Sequence, residues 1–319
     1  MILLTGAKGF IGSSLLLRLC EAGHKVRVVT RSSFECELDN VEIICADLTN
    51  PDTDFNALLC GCDVVFNCAG EIHKEESMRS LHVDATERLV AAANQVAQKE
   101  HPIHFVQLSS VGAYGPAREM TRIVNELTLE NPQGVYEETK TAGDSRVTEN
   151  RNNQFFSYTI LRPSNVFGPS MTNKSLRQLG EVVRKGLFFY IGSAKKDSVA
   201  TYIHVDDVVS ALMLCGFDCK AKGEIFNLSN DCALSDLING MADAQDVSRP
   251  HRSVPEAPLR LMASIANRFL RLPVTQARID TLVAKTSYPS TKLQEILGFV
   301  PERNVPASIG ELFPEKPVA

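Results

Sequence analysis

The chain has 319 residues, 44% of them hydrophobic, and carries a formal net charge of -5. That length supports a large core, while the acidic balance and the absence of a long basic run argue against nucleic acid as the main partner. The chain opens directly on an apolar strand, leaving no room for a signal peptide, and no apolar stretch approaches the roughly 18 residues of a membrane span, so a cytoplasmic chain with no membrane partner is expected.

The first element is a short buried strand, Ile2-Leu3-Leu4-Thr5, followed at once by Gly6-Ala7-Lys8-Gly9-Phe10-Ile11-Gly12 and by Leu15, Leu16 and Leu19 at helical spacing. Strand, glycine turn and helix in that order suit a dinucleotide. Gly6 permits the tight turn, Gly9 lets the backbone approach a pyrophosphate, and Gly12 lets helix and strand pack closely, with Phe10 and Ile11 in the same cofactor-facing segment. A second strand over 25–30 ends in Thr30-Arg31-Ser32-Ser33, where an NAD-preferring protein would usually place an acid against the adenosine ribose. With no carboxylate there and a guanidinium able to grip a 2′-phosphate, NADP is the better fit and NAD stays open. A third strand over 41–46 delivers Asp47 and Leu48 toward the adenine, and a fourth over 63–66 ends in Asn67-Cys68-Ala69-Gly70, small enough for close approach of a cofactor, Ala69 in particular.

Further strands are expected at 103–108, 157–161 and 224–228, alternating with helices. This pattern indicates an α/β fold, a right-handed, doubly wound parallel sheet of Rossmann type. Between them lies Tyr136-Glu137-Glu138-Thr139-Lys140. Four residues make one helical turn, so the phenol and the ammonium share a face and the cation is expected to favour the phenolate. Of the nine cysteines, Cys20, Cys45, Cys68 and Cys215 fall in apparent elements and read as reduced core residues, while Cys60-Gly61-Cys62 lacks partners for zinc, so no metal site is expected.

Taken in order, the glycine turn, Asp47-Leu48, Leu108-Ser109-Ser110-Val111-Gly112-Ala113-Tyr114-Gly115, Tyr136 to Lys140, Leu161-Arg162-Pro163-Ser164-Asn165 and Tyr202-Ile203-His204-Val205 resemble the extended short-chain dehydrogenase/reductase superfamily, NAD(P)-dependent epimerase/dehydratase branch. The resemblance implies a Rossmann domain over 1–163, with 198–229 returning to it, and a smaller C-terminal substrate-binding lobe from 164–197 and 230–319. It maps the catalytic hydroxyl onto Ser110, with Ser109 structural, and gives a catalytic set of Ser110, Tyr136 and Lys140. Tyr136 and Lys140 also face the cofactor, as does Pro163. Asn165 and Arg278 resemble residues that hold a substrate diphosphate, and Ser110 would touch the substrate too. Lys174, Lys195 and Lys196 read as solvated cations.

Three departures from the family pattern bear on activity. His82 stands where members commonly have an asparagine, and reads as a structural substitution. Ala200 occupies a slot where sugar-nucleotide members often carry a diphosphate-binding arginine. Val111 and Gly112 replace the acidic pair of dehydratases, which argues against dehydration. The resemblance and the Thr30-Arg31 pair together imply an oxidoreductase that reduces a 4-keto group of a nucleotide-activated sugar. The alternatives are a nucleotide-sugar 4-epimerase, a reductase of an apolar ketone, and a non-catalytic nucleotide-sensing relative. A homodimer is implied as well, with Leu89, Val90, Ala93 and Val96 as an apolar stripe facing a symmetry mate.

Overall fold

The computed structural model describes residues 1–34, 36, 38–116, 121–149, 153–269 and 276–313. Seven parallel strands form one sheet: β1 (Ile2–Thr5), β2 (Val26–Thr30), β3 (Val41–Cys45), β4 (Val64–Asn67), β5 (Ile103–Leu108), β6 (Phe156–Pro163) and β7 (Glu224–Leu228). They lie in the order β7-β6-β5-β4-β1-β2-β3. All seven are the strands expected from the sequence. The strand order reverses between β1 and β4, and in a sheet of this kind that switch point is where a ligand crevice forms at the carboxyl ends of the strands.

The period of two along each strand divides the core. Leu4, Phe66, Val106 and Leu161 face one side, packing with Leu15 and Leu19 of α1 (Phe10–Glu21). Leu3, Val65, Phe105 and Ile160 face the other. There they meet Leu58 of α2 (Phe55–Leu59) and Leu89 and Val90 of α3 (Ala85–Val96). Near the carboxyl edge the strands carry a polar seam. The Thr5 hydroxyl donates to Asn67 at 2.7 Å, and the Asn67 amide donates to Gln107 at 2.9 Å and Thr86 at 3.2 Å. Each buried polar group thus has a partner, and β1, β4 and β5 are locked in register beneath the crevice.

A second, smaller core gathers Phe167, Met171, Leu176, Val183, Tyr190, Leu237, Ile238, Met241 and Val305. Phe10 packs against both cores, so the first turn of α1 joins the sheet to this lobe. Leu293 and Phe299 return to the sheet's core near the end of the described chain.

The apolar stripe expected to face a symmetry mate is used differently. Leu89, Val90 and Ala93 are buried in the chain's own core, and the exposed positions of α3 are Glu87, Ala91 and Gln95. A three- to four-residue apolar repeat marks a buried helix face, and here the sheet is what buries it. Cys45 also departs from expectation: it is exposed at the end of the edge strand β3, whereas Cys215 is buried. All nine cysteines are free. Among the described residues no helix is long and apolar enough to cross a membrane, and no cluster of His, Cys, Asp or Glu is arranged to hold a metal.

Candidate active site

The glycine turn is shaped by what it excludes. Gly6 has φ +73°, and a Cβ there would stand 2.5 Å from the Cys68 carbonyl oxygen at the end of β4. A Cβ on Gly12 would lie 2.2 Å from the Gly6 carbonyl oxygen. Side chains at either place would push the strand ends and α1 apart. Gly9 is the N-cap of α1 and offers no capping side chain, so the helix presents its leading N–H groups uncapped by any side chain, as phosphate binding requires. This cradle fits a dinucleotide pyrophosphate.

At the far end of the crevice, Thr30 closes β2 and its hydroxyl donates to the Ser32 carbonyl at 3.1 Å. Lys8, from inside the glycine turn, donates its Nζ to the Ser32 hydroxyl at 2.9 Å and sits 5.9 Å from the Phe34 ring centre. Arg31 is exposed beside it. The sequence motifs do not single out Lys8, although a basic residue between two glycines of such a turn is a usable signal. Asp47 accepts from the Thr49 N–H at 2.9 Å and from its hydroxyl at 2.8 Å. These bonds, and to a lesser degree Arg31, hold its carboxyl below the usual range. Leu48 is buried in the core beneath the crevice, Ala69 is half-buried at the end of β4, and Pro163 is buried at the end of β6.

The expected catalytic set lies just after β5 and on α4 (Val135–Glu149). Ser109 and Ser110 follow β5 and point to different tasks. Ser109 is buried and donates to the Asp144 carboxylate at 2.7 Å. Ser110 is half-exposed and caps the short 3₁₀ turn Val111–Tyr114, its hydroxyl oxygen accepting from the Gly112 N–H at 3.0 Å. That leaves its proton available to a ligand. Tyr136 and Lys140 stand one turn apart on α4. Lys140 is buried and donates Nζ to the Leu108 carbonyl at 2.5 Å, and burial pushes its pKa down against the pull of Asp144 and Cys68. Asp144 is in turn gripped by Arg162, through Nε at 3.1 Å and Nη2 at 3.0 Å, and Arg162 also donates to Glu130 at 2.5 Å. Burial pushes the Asp144 carboxyl up, against Arg162 first and then Ser109 and Lys140.

The expected effect of Lys140 on the phenol is not what the structure has. Burial pushes Tyr136 up to about 12, and Glu137 and Asp144 add to it. The Lys140 ammonium instead donates to the Leu108 carbonyl. These influences favour the phenol over the phenolate, and the phenol is the form that donates a proton.

The expected substrate residues are more scattered. Asn165 is exposed, with its amide nitrogen donating to the Thr201 carbonyl at 3.0 Å, and the neighbouring Ala200 is buried. Arg278 is exposed on the helix Gln276–Val283, which packs against the helix Glu256–Phe269 in the small lobe. Lys174 and Lys195 are exposed, and Lys195 lies 5.7 Å from the Tyr190 ring centre. His82 is buried in the π-helical turn Ser80–Asp84, edge-on to Tyr136.

Residues 2–229 match the model of the NAD dependent epimerase/dehydratase family. The chain is 30% identical to a UDP-glucose 4-epimerase of Mycolicibacterium smegmatis, over 94% of this chain and 93% of that protein. It is 25% identical to a 2-alkyl-3-oxoalkanoate reductase of Stenotrophomonas maltophilia, over 98% of each. In fold it is similar to MoeE5 in complex with UDP-glucose and NAD, with a TM-score of 0.71 at 21% identity, covering 98% of this chain and 96% of that one.

Proposed function

This chain belongs to the NAD dependent epimerase/dehydratase family, and from that premise we propose that it is an NADPH-dependent carbonyl reductase acting on the 4-keto group of a nucleotide-activated sugar. The observation that carries the reading is that the helix bearing Tyr136 and Lys140 packs on the turn capped by Ser110, whose hydroxyl keeps its proton available, and is tied by Lys140 to the Leu108 carbonyl at the end of β5. When bound, the reduced nicotinamide supplies a hydride. Tyr136 gives its proton to the oxygen of the carbonyl as charge develops there, and Ser110 hydrogen-bonds the same oxygen. Lys140, anchored on the Leu108 carbonyl, offers its remaining N–H groups to the nicotinamide ribose. A proton donor suits net reduction, whereas an epimerase must also take a proton from a hydroxyl.

Lys8 and Arg31 support NADPH as the reductant. Both are cations near the end of β2, a strand that ends in Thr30 and not in an acid, and the Ser32 hydroxyl beside Lys8 adds a donor. The nucleotide-sugar substrate draws support from the named ligand of the similar structure and from the UDP-glucose 4-epimerase relative.

A second reading is favoured by Ala200 and Asn165. The buried alanine brings no charge to a diphosphate, and the Asn165 amide nitrogen is already engaged with Thr201. Both suit a 3-oxo compound that carries alkyl chains and no diphosphate, as in the name of the Stenotrophomonas relative. One panel separates the readings: NADPH with UDP-4-keto-6-deoxyglucose, NADPH with a 2-alkyl-3-oxoalkanoate, and UDP-glucose with NAD. Net NADPH loss on the first supports the proposal, loss only on the second replaces the substrate, and UDP-galactose formation on the third without net cofactor change makes the protein an epimerase.

A further inference from the structure

The loop that follows β4 and the helix that carries Tyr136 and Lys140 are joined by a buried side chain. His82 is 1% exposed, in the π-helical turn Ser80–Asp84 that leads into α3. Its Nε2 accepts from the Glu71 N–H at 2.9 Å, and its Nδ1 lies 2.8 Å from the Thr139 hydroxyl oxygen. The Thr139 hydroxyl proton is already committed, donating to the Val135 carbonyl at 2.7 Å, with the Tyr136 carbonyl 3.1 Å away. Thr139 can therefore only accept from the imidazole. One ring nitrogen must accept and the other must donate, which fixes the neutral Nδ1–H tautomer. The His82 ring stands edge-on to the Tyr136 ring, 5.7 Å between centres at 86°.

Two further contacts brace this arrangement. Gly143, one turn beyond Thr139, lets the helix close on the π turn: a Cβ there would lie 2.4 Å from the His82 carbonyl oxygen. On the other side Glu71 folds its carboxylate over its own loop, Oε1 accepting from the N–H groups of Ile72 and His73 at 2.9 Å each and of Lys74 at 3.3 Å. The loop is a preformed unit, and the imidazole is its tie to the catalytic helix.

We propose that His82 is a positioning residue, its Nδ1–H tautomer clamping the Glu71 loop to Thr139 and thereby fixing the orientation of Tyr136. The proposal rests on Tyr136 as proton donor for its kinetic arm only. A protonated imidazole would set Nε2–H against the Glu71 N–H, two donors face to face. Burial opposes that state, as does Lys140, with Glu71 pulling the other way, and the ring's pKa is pushed down to about 4.

The first test needs no substrate. Long-range ¹H–¹⁵N correlation on the native protein at neutral pH, with and without NADP⁺, should show a pyrrole-type Nδ1 and a pyridine-type Nε2 for His82. The Glu71 amide should exchange with solvent at least about tenfold faster in His82→Phe, which keeps the ring and loses both bonds. The second test is kinetic, on whichever carbonyl compound the panel above identifies. His82→Phe should lower kcat about tenfold with KM and NADPH affinity within about twofold, and His82→Asn, which keeps a donor near the Nδ1 position, should lose less. An Nε2–H tautomer, an imidazolium at neutral pH, or unchanged Glu71 exchange would overturn the clamp. An unchanged kcat in His82→Phe would overturn its role in positioning Tyr136. If His82→Phe does not fold, the native tautomer and the His82→Asn exchange rate decide. If the panel finds no substrate, the spectroscopic arm still stands, so failure of the functional reading and failure of the clamp are told apart.

Discussion

Lys8 reaches across the mouth of the crevice to Ser32, Nζ to Oγ at 2.9 Å, joining the glycine turn to the loop after β2. Beside them Arg31 is exposed, and no carboxylate ends the strand. A 2′-phosphate placed there would meet two cations and a hydroxyl. NADPH is expected to bind more tightly than NADH, by about tenfold or more, with Arg31→Ala and Lys8→Ala each removing a substantial part of the preference. Fluorescence titration of the two cofactors on the native protein checks this, and equal affinities would remove the case for NADPH.

The glycine cradle gives a stability prediction with an internal control. Gly12→Ala puts a methyl 2.2 Å from a backbone carbonyl that cannot step aside, which should cost about 1–3 kcal/mol and weaken both cofactors alike. Gly23 has φ +79° with nothing within 4 Å, so Gly23→Ala should cost only the left-handed backbone term, about 1 kcal/mol, and leave cofactor binding unchanged. Thermal melts paired with NADPH titration distinguish the two. Unimpaired cofactor binding in Gly12→Ala would show that the turn does not need this close approach.

Much of this architecture was legible in the sequence, because it rests on local rules. The seven strands are short apolar runs ended by small or polar residues, and the glycine spacing states its own backbone demands. The apolar stripe at Leu89, Val90 and Ala93 was legible as a buried face, but not which surface buries it, since a helix face looks the same against a sheet as against a second subunit. The electrostatics were hidden for a similar reason. Tyr136 and Lys140 share a helix face, yet the ammonium is turned to the Leu108 carbonyl and the phenol feels burial, Glu137 and Asp144 instead. Such balances depend on residues far apart in the chain, such as Leu108 and Lys140. The His82 tie was hidden too, because its partners at Glu71 and Thr139 lie 11 and 57 positions away.

Two buried imidazoles should make the fold sensitive to mild acid. His82 and His104 are both pushed down to about 4 from an ordinary value of 6.5, chiefly by burial. His104 is held between the Cys215 carbonyl at 2.8 Å and the Ser157 hydroxyl at 2.9 Å. Between those pH values the unfolded chain binds more protons than the folded one, so these groups' contribution is complete above about 6.5 and is lost as pH falls toward 4, on the order of 3 kcal/mol each. Denaturant unfolding at pH 7 and pH 4.5 should show that loss, and His104→Gln should be less stable at pH 7 but less sensitive to the drop. An acid dependence identical to the native protein's would contradict the assignment to His104.

Lys140→Ala should strike the cofactor more than the proton. It removes the cation offered to the nicotinamide ribose and leaves the Leu108 carbonyl without its 2.5 Å donor, so NADPH affinity and turnover should both fall, by about tenfold or more. Because the phenol lies near 12 without help from Lys140, turnover limited by Tyr136 should stay level through neutral pH and decline only at strongly alkaline values in native and variant alike. A steep rise in native activity between pH 6 and 9 would mean that the phenolate is the working form.

The central claim, that Tyr136 donates the proton in a net carbonyl reduction, is tested most directly by following NADPH consumption with UDP-4-keto-6-deoxyglucose and 2-alkyl-3-oxoalkanoate substrates in native protein and Tyr136→Phe. The native protein should consume NADPH in proportion to the alcohol formed, and Tyr136→Phe should lose about a hundredfold or more of kcat while binding NADPH within about twofold of native, since the hydroxyl acts mainly in the transition state. Near-native turnover in Tyr136→Phe, or no NADPH consumption by the native protein on either carbonyl class, would contradict it.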